Sequence, residues 1–198
     1  MRWILLALIA VTGFYFWSHR TIHHPPSVLV DHAPLQQTVS LPAWQKGDYT
    51  IQPAARYVID ARVLSKLHYG AHDHGDLVPY DLALGWQTMS DSAVLDQLDI
   101  SQFGRYYQYR WQNPPPADPT VIAQTSANNH LIAANDKVAH TIARLRTGDV
   151  IHMEGYLVNA SQPDGFHWNS SLTRDDTGPG ACELMWVEKI SVQRTQVP

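Results

Sequence analysis

The sequence predicts an α+β protein: a mostly antiparallel β domain, small barrel or sandwich-like, with one or two helices, preceded by a single N-terminal transmembrane helix. Three observations predict it. Residues 3–17, WILLALIAVTGFYFW, form an uncharged apolar run. Residues 56–67 and 150–158 alternate apolar and polar side chains, as half-buried strands do. Residues 135–146 space their apolar side chains as a helix does. A chain of 198 residues suffices for one domain and an appendage.

The appendage comes first. A helix over residues 3–17 spans roughly 22 Å, short of a hydrocarbon core of about 30 Å. A signal-peptide core of that length is an alternative, as is a buried helix. No small-x-small cleavage pattern follows, however. Trp3, Tyr15 and Trp17 sit where interfacial aromatics belong, and Arg20 can snorkel. Residues 1–22 are therefore expected as an uncleaved anchor in a bacterial inner membrane, with the rest of the chain periplasmic. Residues 23–48, with His23-His24-Pro25-Pro26, Pro34 and Pro42, are expected as an extended stalk. Residues 49–198 are expected as the extracytoplasmic globular domain.

Within that domain, Tyr57, Ile59, Ala61, Val63 and Leu67 share one strand face, with Asp60, Arg62 and Lys66 opposite. Leu82 to Thr88 is a short apolar run. Ser90-Asp91 caps a short helix carrying Val94, Leu95 and Leu98. Arg105 to Trp111 is an aromatic strand, ending at an exposed proline loop over Pro114–Pro119. Asn135 caps the clearest helix, with Val138, Ile142 and Leu145 at i, i+4 and i+7, and Gly148 is expected to end it. Val150 to Val158 is a strand in which Gly155 suggests a bulge or tight bend. Phe166 to Thr173 and Cys182 to Val192 are two further strands. A helix leading directly into the Gly148–Tyr156 strand resembles OB-fold-like and other small barrels. Fold alone implies no function.

Composition excludes some functions. Hydrophobic residues are 44 % and charged residues 16 % of the chain, and the net charge is −4. No basic footprint for nucleic acid is present. The single cysteine rules out an intramolecular disulfide.

Three constellations could carry chemistry. His68, His72 and His74 lie at H-x3-H-x-H with Asp73, Asp76 and Asp81 nearby. Imidazoles and carboxylates are the ligands zinc or copper would use, though a solvent-exposed loop has the same composition. The second is Trp168–Glu183. Cys182 has no helix N-terminus beside it to lower its thiol pKa, and only a distant histidine (His130, His152 or His167) could serve it. Strand alternation places the thiol in the core, and Arg174 can pair with Asp176 or Glu183. The third is Asn128-Asn129-His130, whose amides and imidazole suit a ligand or the loop's own backbone.

Asp81-Leu82-Ala83-Leu84-Gly85-Trp86, Ser126-Ala127-Asn128-Asn129-His130, Gly148-Asp149-Val150, Gly155-Tyr156-Leu157-Val158, Trp168–Arg174 and Gly180-Ala181-Cys182-Glu183 together resemble a group of bacterial proteins with an N-terminal membrane segment and no assigned activity. The resemblance spans about residues 55–190 and implies a bacterial, membrane-associated protein.

The first functional reading is a non-enzymatic binding domain with a polar cradle of Asn128, His130, Arg174 and Glu183. Its partners would be the membrane, through residues 3–17, and an envelope protein or a small ligand. The second is a metal-binding protein or metal-dependent hydrolase using His68, His72 and His74. The third is a hydrolase with Cys182 as nucleophile.

Overall fold

The structure, a computed structural model, describes residues 20–70, 72–173 and 181–193. The strands are β1 (Leu35–Thr38), β2 (Trp44–Lys46), β3 (Tyr49–His68), β4 (Tyr80–Gly85), β5 (Leu98–Phe103), β6 (Tyr106–Trp111), β7 (Ser126–Ala133), β8 (Val150–Ser161), β9 (His167–Asn169) and β10 (Glu183–Gln193). The helices are α1 (Ser92–Leu95), α2 (Pro119–Gln124) and α3 (Asp136–Arg144). Strands dominate, as expected. Among the described residues no helix is long and apolar enough to cross a membrane. The expected anchor segment, residues 3–17, lies outside them.

Five strands close a barrel. β3 pairs β4, β4 pairs β7, β7 pairs β10, β10 pairs β8, and β8 returns to β3. All these pairings are antiparallel except β7–β10, which is parallel. β3 can serve two neighbours because it is 20 residues long. Its first two thirds pair β8, its last third pairs β4, and register shifts at Pro53/Ala55 and Val63/Ser65 bend it between them. The connectivity resembles the five-stranded Greek-key barrel of the OB type.

Alternation fills the barrel. Tyr57, Ile59 and Ala61 of β3 meet Leu82 and Leu84 of β4, Leu131 of β7, Met153 and Leu157 of β8, and Met185 and Val187 of β10. Val138 and Ile142 on the apolar face of α3 join the same core. Asn135 caps α3 as expected, its side chain accepting from the Val138 amide at 3.1 Å. The helix ends at Arg144, before Gly148. Gly148 instead sits at φ +93°, where a Cβ would lie 2.0 Å from the Ile22 carbonyl oxygen. Gly155 likewise meets the Trp186 carbonyl oxygen. The bulge expected near Gly155 falls on the neighbouring strand, between Val187 and Lys189.

The segment expected as a stalk lies against the barrel. The Ile22 amide donates to Thr147 O at 2.9 Å, and the amides of Leu29 and Val30 both donate to Ser90 Oγ at 3.1 Å. β1 and β2 then pair with β3. An extended chain with free backbone donors is readily held by a sheet edge, and here the edge of β3 takes it.

Between β4 and β7 the chain makes an excursion that includes a separate two-stranded hairpin, β5–β6. That hairpin, the His-rich loop after β3 and the connection from β8 to β10 all reach the outer face of β4 and β7.

Candidate functional site

Asp81 and His130 face each other across β4 and β7 in register. Leu82 and Leu131, one step along, point into the barrel, so Asp81 and His130 point outward. Both are nonetheless buried, Asp81 at 0 % and His130 at 2 % exposure. Nδ1 of His130 lies 2.9 Å from Oδ1 of Asp81, without the alignment of a hydrogen bond.

Arg105 covers them. Phe103 pairs with Tyr106, so Gly104 and Arg105 form a two-residue hairpin turn with φ of +53° and +70°. Glycine commonly takes such positions, and a side chain there is held at a conformational cost. The contacts that hold it are numerous. Nη1 donates to Asp81 Oδ1 at 2.8 Å, and Nη2 donates to the Asp73 carbonyl. The Arg105 amide donates to the Tyr69 hydroxyl at 2.9 Å. The guanidinium carbon stands 3.6 Å from the Tyr69 ring centre and 5.3 Å from that of Trp168. Burial, followed by the charge of Asp81, raises the Tyr69 phenol above its ordinary pKa.

Asn128 holds the same hairpin from below. Its Oδ1 accepts from Gln102 Nε2 at 2.7 Å, and its Nδ2 donates to Arg105 O at 3.0 Å. Cys182 stands beside it, with Sγ 3.8 Å from Asn128 Nδ2 and 3.9 Å from Arg105 O.

The His-rich loop forms a wall. Tyr49 donates its hydroxyl to Asp76 at 3.0 Å, and that hydroxyl lies 3.2 Å from His74 Nδ1. Burial and then the bond to Asp76 push the Tyr49 pKa up to about 12. The His74 ring stacks on Phe166 with centres 4.0 Å apart, and the His130 ring lies 4.8 Å from that of Trp168. The result is a cleft of about 600 Å³ bordered by His74, Arg105, Tyr106, His130, Phe166, Trp168 and Cys182. Its walls are aromatic, with a thiol and an imidazole set among them and an ion pair below.

The expected site residues are distributed as follows. Asn128 and His130 share the outer face of β7. Glu183, 1 % exposed, is register partner to Asn129 and alternates with the core residues Met185 and Val187, so it points into the barrel. Two members of the expected cradle thus lie on one side of the barrel wall and Glu183 on the other. Arg174 lies outside the described residues, as does Asp176. The histidines are separated in their environments. His68 is exposed with its ring 4.7 Å from that of Tyr80, His72 is exposed, and His74 is engaged by Tyr49 and Phe166. Among the described residues no group of three or more His, Cys, Asp or Glu side chains is arranged to hold a metal ion. Cys182, expected in the core, is half-buried at the cleft, because it precedes β10. Ser170 and Ser171 tie the connection to β10: Ser170 Oγ accepts from the Leu184 amide at 3.0 Å, and the Ser171 amide donates to Cys182 O at 3.0 Å.

The sequence expectations do not include Arg105, and they name Asp81 only as a neighbour of the histidines. A signal existed for each. Asp81 is an acid at the head of the apolar run that starts at Leu82, and Arg105 follows a glycine between two strand patterns.

No family model, no curated protein and no solved structure matches this chain.

Proposed function

We propose that the chain is a binding domain, anchored in the bacterial inner membrane by residues 3–17 and facing the periplasm, that takes a small ligand in the cleft on the outer face of β4 and β7. One observation carries this reading. An ion pair between buried Asp81 and half-buried Arg105, with His130 beside it, sits at the base of an aromatic cleft where four separate chain segments meet. Buried ion pairs are weak contributors to stability compared with apolar packing, so their assembly at a concave surface favours recognition as its reason. OB-type barrels use this same face and its flanking loops for ligands. The acidic chain disfavours nucleic acid as that ligand, leaving compact molecules with a flat apolar part and hydrogen-bonding groups.

Ligand-observed NMR tests the reading. The full-length chain in detergent is screened against mixtures of monosaccharides, amino acids and short peptides, beside Trp168→Ala. Saturation transfer to one class from the wild type, lost in Trp168→Ala, is the expected result. Equal signals from both proteins, or none, would overturn it. Anchoring is checked separately: the full chain stays with carbonate-washed membranes, and a chain starting at residue 23 does not.

A further inference from the structure

The binding reading leaves the chain's single cysteine without a task. β7 and β10 run parallel with Glu183 beside Asn129 and Leu184 beside His130. Side chains alternate across a sheet, so Cys182 projects to the same outer face as Asn128 and His130. Same-face neighbours one register step apart on adjacent strands lie roughly 7 Å apart, a gap that a rotamer change of Cys182 shortens. The 3.8 Å approach of Sγ to Asn128 Nδ2 places the thiol over that face, and Cys182 and His130 border the same cleft. On the far side of the imidazole, Nδ1 lies 2.9 Å from Asp81. Nε2 is then the ring nitrogen left toward the cleft.

We propose that Cys182 is the nucleophile of an acyl-transfer site, with His130 as its general base and Asp81, 2.9 Å from the imidazole, as the positioning residue beside it. The substrate class is an ester or thioester whose acyl part lies against Trp168 and Phe166. The Cys182 thiol proton passes to His130 Nε2 as Sγ bonds to the carbonyl carbon. Asn128 Nδ2, 3.8 Å from Sγ, is a donor for the resulting oxyanion. The carbon–leaving-group bond then breaks, and the leaving group takes the proton from His130. Water attacks the thioester with His130 accepting its proton, the carbon–sulfur bond breaks, and the thiol is reprotonated as the acid leaves. The proposal shares its cleft with the binding reading, but the thiol's activation needs no bound ligand.

The test is alkylation of the full-length chain by iodoacetamide, which reports Cys182 alone. An ordinary thiol is only about 1 % ionised at pH 6.5, so an activated one stands out there. Cys182 is expected to react at least about tenfold faster than glutathione at pH 6.5, and His130→Gln to lose about tenfold. Asp81→Asn should lower the ratio of the rate at pH 6.5 to the rate at pH 9.5. Asp73, Arg105, His74 and His167 also border the cleft, and Glu183 adjoins the cysteine, so Arg105→Gln is measured in parallel. Loss of the enhancement in Arg105→Gln but not in His130→Gln would assign activation to the guanidinium and overturn the proposal. A wild-type thiol no faster than glutathione at pH 6.5 would overturn it whether or not any variant folds. With p-nitrophenyl acetate, an acetyl adduct on Cys182 that is absent in His130→Gln is expected. A reactive thiol in a protein that binds none of the screened compounds would sink the binding reading and leave this one standing.

Discussion

Nη1 of Arg105 donates to Oδ1 of Asp81 at 2.8 Å, and that bond fastens the tip of an outlying hairpin to the barrel wall. The carboxylate has 0 % and the guanidinium side chain 14 % exposure, so neither is well supplied by water. Removing one partner strands the other charge. Asp81→Ala is therefore expected to cost about 3 kcal/mol in urea denaturation. Asp99→Ala, at an exposed position in the same hairpin, should be nearly silent. Equal effects from the two would mean that Asp81 does not hold the hairpin.

The Tyr49 phenol titrates high because burial, and then its bond to Asp76, oppose ionisation, taking it to about 12. A folded-state pKa raised above the unfolded value of about 10 gives stability that is complete below pH 10 and lost as pH rises toward 12. Wild type should lose stability over that range more steeply than Tyr49→Phe. Parallel curves would contradict the assignment. The other raised tyrosines (Tyr69, Tyr107 and Tyr109) are common to both proteins and cancel.

His32 bonds Asp31 at 2.9 Å and Asp60 at 3.1 Å, and these carboxylates raise its pKa, Asp31 first. The protonated ring then pins the N-terminal segment to β3. The stabilisation is full below about pH 6.5 and fades as pH climbs through the raised value. Thermal melts of wild type and His32→Gln should differ most near pH 5.5 and converge at pH 9. Because His32 is largely exposed, the gap should shrink in high salt.

Gly47 and Gly148 both have positive φ, but only Gly148 has backbone pressed against it. Gly47→Ala is expected to cost about 1 kcal/mol, the price of the left-handed conformation alone. Gly148→Ala should cost at least about 2 kcal/mol more, since the Ile22 backbone must withdraw. Equilibrium denaturation of both variants separates conformation from contact. Similar losses would mean that the N-terminal segment yields freely.

How much of this the sequence carried depends on which surfaces each strand meets. β3 and β8 were legible because one face is apolar and the other polar, and α3 because its stripe and cap agree. β7 carries the sequence signals of a loop. Its Asn128-Asn129-His130 run has no apolar alternation, because Asn129 points into the barrel while Asn128 and His130 lie under the hairpin. The polar residues meant to mark a loop are the ones that build the site. Cys182 and His130 each stand out in the sequence, but 52 positions apart their meeting at one cleft depends on the parallel β7–β10 pairing, which no local pattern encodes. β5 is hidden in the sequence because its Leu98 continues the apolar stripe of the preceding helix.

The barrel's closure has a kinetic consequence. Its first strand cannot complete its pairing with β8 until residues such as Ser161, more than a hundred positions after Thr50, are available. The last gap, between β7 and β8, waits for β10. Contacts this remote form slowly, and until they do two strand edges stay bare. A chain delivered N-terminus first, from ribosome or translocon, therefore passes through an interval in which self-association competes with folding. The speed with which β10 arrives sets the length of that interval.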